Sequence, residues 1–472
     1  MTNDDGATHW IGGLAVASRG GTTLAVVDPA TELRVGTLPV AGADEVSAAV
    51  ESARAAGPAW AAMKPSQRLG LLQAVAERII SAADELADLE SREMGKPLSM
   101  ARDDITMSAE GFAGAAEAAI GFFTVDDAAA GRLVRHPYGV AALITPWNYP
   151  VCQVIDPLGA LLAAGNTVVV KPSEKASLSV AALGPLLADL PPGVVNIVLG
   201  DGSTGAALVE HPGVDLVHFT GSVATGRRVA GTAGQRLIPA FLELGGKDAL
   251  VIDEGVDPTW AAEVAAEGGF ANTGQVCVSV ERVYVHRAVA QSFIAALTEQ
   301  AAQWTFGSGR DSDIRMGPLV DARQRDLVHA QVQQAVAEGG RLVLGGELPS
   351  DPGFFYPPTI VVDPPDESAL MTDETFGPVI AVRVVDSFAE GIERANATEY
   401  GLTASALTAN PDHIALAAHL RAGAVTVNGG GDGPDDAPFE PARASGAGRL
   451  HFGPRALESY TRPQALSVGS AR

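Results

Sequence analysis

Cysteine is nearly missing from this 472-residue chain, which has only Cys152 and Cys277. Two widely separated thiols form neither a disulfide framework nor a metal cluster by spacing, so the chain reads as soluble and cytoplasmic with both reduced and no metal. Lysine is almost as scarce, occurring only at Lys64, Lys96, Lys171, Lys175 and Lys247, so a lysine inside a motif stands out. Positive charge as a whole is short, with 32 Lys and Arg against 56 Asp and Glu and a formal charge of −24. That field repels phosphate backbones and anionic lipid, which excludes nucleic acid and membrane surfaces as expected partners. A long apolar run is also lacking: the most apolar stretch, 139–170, is interrupted by Pro146, Asn148, Asp156, Pro157 and Asn166, which is wrong for a membrane span. The N-terminal MTNDDGATHW has neither the basic nor the apolar region of a secretory signal.

Hydrophobic residues make up 47% of the chain, and its length accommodates two or three domains. Residues 66–90 place Leu72, Val75, Ile79, Ala83 and Leu86 at helical spacing behind a capping Ser66, which predicts one amphipathic helix. Apolar β-rich runs follow at 140–144, 166–170, 194–198, 214–219 and 240–244, separated by stretches of helix length. Continuous apolar strands with helical crossovers predict a doubly wound parallel α/β sheet, with ligands outside the carboxyl ends of its strands. A second alternating block over 247–428 has strand candidates at 280–285, 341–344, 378–385 and 424–427. Residues 121–138 and 456–472 fit neither block, and small strands reaching a neighbouring subunit are one reading of them.

Several short motifs sit at strand ends or in loops, and each has a plain structural reading beside a chemical one. FTGSVATG (219–226) ends a strand and opens a helix, so its amides and the helix dipole suit a phosphate, although a tight turn needs the same residues. It is neither GxGxxG nor a P-loop. Lys171 and Glu174 of KPSE follow a buried strand and suit the two hydroxyls of a ribose, or are merely solvated. Glu243 in LELGGK has apolar neighbours on both sides, which predicts partial burial, a raised pKa and use as a general base, or a structural ion pair. Asn148 of TPWNYP is placed to donate to an oxyanion or to cap the next helix. Cys277 in GQVCVS lies between Val276 and Val278, as an inert cysteine would, yet the loop opened by Gly274 argues for access.

Taken together, in order and spacing, these motifs resemble the NAD(P)-dependent aldehyde dehydrogenase superfamily from about residue 10 to 465. The cysteine of GQVC lying 34 positions after the Glu of LELGGK is the most specific feature. The resemblance implies a cofactor domain at 1–120 and 139–246, a catalytic domain at 247–428, and oligomerisation segments at 121–138 and 429–472. It implies Cys277 as nucleophile, Glu243 as base, and Asn148 with the Cys277 amide as oxyanion donors. Trp147, Lys171, Ser173, Glu174, Gly221, Ser222, Gly245, Glu374 and Phe376 look like cofactor contacts, and Tyr149, Cys152 and Asp156 like the substrate tunnel. A small-molecule aldehyde, NAD (with NADP as the second possibility) and a homodimer or homotetramer are the implied partners. Glu174 should repel a 2′-phosphate, which favours NAD.

This chain also departs from the family pattern. PFEPARASGAGR (438–449) puts Glu440 and Pro441 where relatives commonly have glycines and Arg443 where they have lysine, and GGGDGPDD (429–436) beside it reads as a mobile rim. Asp156-Pro157 replaces a common Trp-Lys pair. If residues from 150 onward are helical, Asn148, Cys152 and Asp156 share a face. Pro157 should then kink the helix, and the carboxylate disfavours anionic aldehydes, leaving neutral or cationic ones. Two alternatives stay open: CoA-acylating chemistry, which tends to dispense with the glutamate base, and a non-catalytic NAD-binding protein of the same fold. Redox coupling of Cys152 to Cys277 requires close approach.

Overall fold

The computed structural model describes residues 6–123, 132–429, 438–448, 450–451 and 455–466. The predicted alternation resolves into two sheets. The first has eight strands in the order Gly446–Ala447, Ala240–Glu243, Leu216–Thr220, Val140–Ile144, Thr167–Lys171, Val195–Ile197, His9–Ile11 and Leu14–Val16. The middle five run parallel and the outer three antiparallel. Val140–Ile144, Thr167–Lys171 and Leu216–Thr220 are buried at every position, as strands covered on both faces must be. Helices Ala43–Ala62, Gly202–Glu210 and Val223–Arg236 cover one face, and Cys152–Ala163 and Leu178–Leu186 the other. From Val140–Ile144 the chain moves outward strand by strand, then returns to lay Leu216–Thr220 on the opposite side. That reversal opens a crevice at the carboxyl ends of these two strands.

The second sheet has seven strands in the order Arg341–Leu344, Thr359–Val362, Val379–Val385, Val280–His286, Asp248–Ile252, Thr403–Leu407 and Ala424–Val427. All are parallel except the first. Asp248–Ile252, Thr359–Val362 and Thr403–Leu407 went unpredicted. The first follows the strand at Ala240–Glu243 with no helix between, Thr359–Val362 is only four residues long, and Thr403–Leu407 (TASAL) carries few bulky residues.

The single helix expected over 66–90 is two, Pro65–Ser81 and Ala83–Met94, broken at Ala82 with φ −98° and ψ 4°. Lys64 occupies the cap and Pro65 the first turn, where its missing N–H costs nothing, so Ser66 lies inside the helix. Of the two unplaced segments, Arg132–Pro137 pairs antiparallel with Thr461–Leu466 as a separate two-stranded ribbon. Residues 124–131, 467–472 and nearly all of GGGDGPDD lie outside the described residues. Among the described residues, no helix is long and apolar enough to cross a membrane.

Candidate active site

At the carboxyl ends of the first sheet lie Trp147 and Asn148 after Val140–Ile144, Lys171 closing Thr167–Lys171, Ser222 after Leu216–Thr220, and Glu243 closing Ala240–Glu243. Strand pairing sets Glu243 beside Thr220, whose hydroxyl donates to Glu243 Oε2 at 3.5 Å. Glu243 is half-buried. Its neighbours Leu242 and Leu244 face the other side of the strand, against Val223–Arg236, as two-residue alternation requires.

The second sheet contributes through the opposite ends of its strands. Lys247 precedes Asp248–Ile252, Cys277 precedes Val280–His286, and Glu374 and Phe376 precede Val379–Val385. The chain reaches Cys277 through three successive left-handed residues, Asn272 at φ 47°, Thr273 at φ 61° and Gly274 at φ 68°. For a β-branched threonine this conformation is a genuine outlier, and surrounding bonds must hold it. Thr273 Oγ1 donates to the Gly317 carbonyl at 2.9 Å, and Gln275 Oε1 accepts from the Val320 amide at 2.9 Å. A side chain at Gly274 would overlap the Gly377 backbone, so only glycine fits there.

The same turn joins the two halves of the site. Asn148 Nδ2 donates to the Gln275 carbonyl at 2.9 Å, and Asn272 Nδ2 donates to the Asn148 carbonyl at 3.0 Å. An amide nitrogen carries two hydrogens, and the bond to Gln275 occupies one of them. Asn148 is 3% exposed whereas Cys277 is only half-buried. Gly246 lies directly beneath Cys277, where a Cβ would strike the Cys277 carbonyl. Cys277, Asn148, Gly245, Gly246 and Glu374 are thereby brought together, and Glu243 lies two residues before Gly245 on the same strand end.

The cleft beside them suits a dinucleotide. Ser222 caps the 14-residue helix Val223–Arg236, so free amides and the positive dipole end face the crevice. The Glu374 carboxylate lies over Gly245, where a Cβ would collide with it, and its Oε1 accepts from the Gly246 amide at 3.1 Å. Burial pushes Glu374 up to about 7, with Glu281 pushing the same way against the Gly246 amide and Lys247. Trp147 and Phe376 meet edge to face at 5.4 Å, and the Lys175 ammonium lies 5.3 Å from the Trp147 ring. Lys171 is buried with its ammonium 3.6 Å from Glu174, whose side chain is far more open; Ser173 shares that loop.

The helix Cys152–Ala163 passes through Pro157 without interruption, so the expected kink does not break it. The Gln153 amide bonds to the Tyr149 carbonyl at 2.9 Å, continuing the helical pattern back toward Asn148. Cys152 is buried, and burial, with Glu90 next in weight, drives its thiol well up, so it is a poor nucleophile. Asp156 is the one exposed position of this helix, between buried Ile155 and the half-buried Pro157. It is open to water yet enclosed enough that desolvation raises its carboxyl to about 6, with the Ser108 hydroxyl opposing and Asp104 adding to the rise.

Three supporting groups escaped the sequence reading because no local pattern marks them. Lys247 is fully buried and bonds to Glu281 and to Thr375 Oγ1 at 2.9 Å, while Glu281 also accepts from the amides of Thr375 and Phe376 at 2.9 Å each. That staples the Glu374 loop to the end of LELGGK. Glu93 accepts from the Leu178 amide at 2.6 Å and the Ser179 amide at 3.0 Å, capping from another helix the segment that follows KPSE. Lys96 sits 2.8 Å from Glu90 and 3.0 Å from Asp104, with its ammonium 3.5 Å over the Tyr149 ring. Burial opposes its charge, but Glu90, Tyr149 and Asp104 together keep it firmly protonated. A scarce lysine in GKP was the only available signal.

A cavity of about 490 Å³ lined by Gly226, Arg227, Leu242, Leu244, Arg443 and Gly446 lies on the side of Ala240–Glu243 away from Glu243 and is separate from these groups. Arg443, in the departing PFEPAR segment, donates to the carbonyls of Asn396 at 3.0 Å and Thr398 at 2.5 Å.

A family model described as the aldehyde dehydrogenase family matches residues 15–466. A betaine aldehyde dehydrogenase of Cereibacter sphaeroides is 37% identical over 99% of this chain and 98% of its own. Among solved structures, an NAD-dependent aldehyde dehydrogenase from Sinorhizobium meliloti superimposes with a TM-score of 0.95 at 32% identity, covering 99% of this chain and 96% of the other. The NAD+ complex of a Bacillus cereus aldehyde dehydrogenase gives 0.94 at 35% identity, covering 98% and 96%.

Proposed function

This chain belongs to the aldehyde dehydrogenase family and is an NAD(P)-dependent oxidoreductase of aldehydes, and on that premise we propose that Cys277, Asn148 and Glu243 carry its reaction on a small cationic aldehyde. The observation that supports this most is the bond from Asn148 to the Gln275 carbonyl, which ties the crevice of the first sheet to the cysteine turn of the second.

The Cys277 thiolate adds to the aldehyde carbon, and the carbonyl π pair moves onto oxygen. The second N–H of Asn148 and the Cys277 amide hold that oxyanion. A dinucleotide held by Lys171, Glu374 and the helix start at Ser222 would supply the acceptor for the hydride lost from the tetrahedral carbon. A thioester on Cys277 remains. Glu243 takes a proton from water, the hydroxide adds to the acyl carbon, and the thiolate departs from a carboxylic acid. Sulfur suits both steps, as nucleophile first and leaving group second. A glutamate at this position supports hydrolysis over transfer to CoA. Cys277→Ala should lower NADH formation at least ~10⁴-fold across an aldehyde panel; undiminished turnover would remove Cys277 from the mechanism.

Glu174 beside Lys171 favours NAD, since a carboxylate repels a 2′-phosphate, and kcat/KM for NAD should exceed that for NADP. Asp156, read as a residue of the substrate tunnel, supports a cationic over an anionic substrate, in keeping with a relative named for betaine aldehyde. Pairing of Arg132–Pro137 with Thr461–Leu466 leaves strand edges for a second copy, which supports a homodimer or homotetramer.

A further inference from the structure

Resting on that substrate reading, we propose that Asp156 with Ser108 selects an aldehyde whose far end is an ammonium bearing N–H groups, in preference to a quaternary ammonium. Two chemistries recognise an organic cation. A carboxylate and a hydroxyl accept charge-assisted hydrogen bonds, which need N–H donors. Aromatic faces suit a trimethylammonium, which has none.

The rings beside the reacting residues are already engaged. One face of Tyr149 carries the Lys96 ammonium at 3.5 Å, and a ring polarised by one cation is a weaker host for a second. Trp147 has Lys175 at 5.3 Å and Phe376 against it at 5.4 Å, on the cofactor side. Neither is an open wall of an aromatic cage.

Acceptors, by contrast, are available. Asp156 is the sole charged residue of Cys152–Ala163 and its sole exposed position. Ser108 lies on the helix Leu98–Phe122, which packs against this one, and its hydroxyl acts on the Asp156 carboxyl; Asp104, one turn earlier, is held by Lys96 at 3.0 Å. Lys96 is thus shared by Glu90 and Asp104, and Asp156 is the carboxylate of this group without a lysine.

Reach separates the two cations as well. Asp156 lies one helical turn beyond Cys152 and about two beyond Asn148, roughly 11 Å along the axis. In betaine aldehyde a single carbon separates the nitrogen from the carbonyl, so its cation stays near Cys277. An ω-amino aldehyde with several methylenes spans the gap.

The test compares three substrates that share a six-carbon chain, at pH 8 on the full-length enzyme: 6-aminohexanal, its trimethylammonium analogue and hexanal. The amino aldehyde should show a kcat/KM at least about tenfold above both others, and Asp156→Asn should bring the ratio of amino aldehyde to hexanal to about one. Ser108→Ala, a milder change, should lower the same ratio in part. A trimethylammonium substrate equal to or better than the amine overturns the proposal while leaving the cationic reading intact. Hexanal as the best of the three overturns both.

Discussion

The two sheets supply the site from opposite ends. In the first, Asn148, Lys171, Ser222 and Glu243 stand at the carboxyl ends of parallel strands, around the point where the strand order reverses. In the second, Lys247, Cys277, Glu374 and Phe376 stand in the loops that lead into strands. The first arrangement is almost free of cost, because the crevice and the helix N-termini follow from the winding itself. The second has no such rule to rely on. Asn272, Thr273 and Phe376 take positive φ there, at about 1–3 kcal/mol each, whereas none of the four residues of the first sheet does. The binding half is inherited from topology, and the half bearing the sulfur is held by added bonds.

If that contrast is right, the lysines at the two edges should behave differently. Lys247→Met leaves Glu281 charged, buried and unpaired, which should destabilise the fold by about 3–5 kcal/mol in denaturant titration. Lys171→Met should mainly raise KM for the dinucleotide, since its Glu174 partner is open to water. Equal losses of stability would erase the contrast.

The joint between the sheets comes next in size. Asn148→Ala removes an oxyanion donor and the bond to Gln275, and kcat should fall ~10²–10³-fold by NADH absorbance with KM for NAD nearly unchanged. A loss confined to KM would place Asn148 in binding alone.

The smallest effect is one of pH. Glu374 is pushed up to about 7, so it is increasingly protonated below that pH and loses acceptor strength toward ribose hydroxyls. KM for NAD should therefore rise as pH falls through 7, by about tenfold over the lowest unit, and Glu374→Gln should flatten the profile. Stability carries the same sign: between about 4.5 and 7 the folded protein holds a proton that the unfolded chain releases, so this group stabilises less as pH rises. A KM independent of pH in the unmutated enzyme would show that ribose does not sense this carboxyl.

Much of the first sheet was legible because its strands are mostly apolar runs of the right length, as in VAALI at 140–144 and VVV at 168–170. The second sheet was half legible. Asp248–Ile252 hides against the preceding strand, and TASAL at 403–407 has no bulky alternation to find. Among site residues, Cys277, Glu243 and Asn148 stood out as reactive types in glycine- or proline-marked loops. Glu93, Lys96 and Glu281 did not, because a buried charge is recognised by a partner distant in sequence: Glu281 contacts Lys247 34 positions away, and Glu93 contacts Ser179 86 positions away.

What the sequence by itself determined is the alternation of apolar strands and helices, hence the crevice, together with the identity of the thiol, the carboxylate and the amide. Those follow from local pattern and side-chain chemistry, which survive in one dimension. Only the tertiary structure decided that the second sheet meets the first through the amino ends of its strands, that a left-handed turn carries the thiol to the amide, and that Asp104 is matched by a lysine while Asp156 is not. Each of these depends on which distant segments share a volume, and buried charge takes its energy from that volume rather than from its neighbours along the chain.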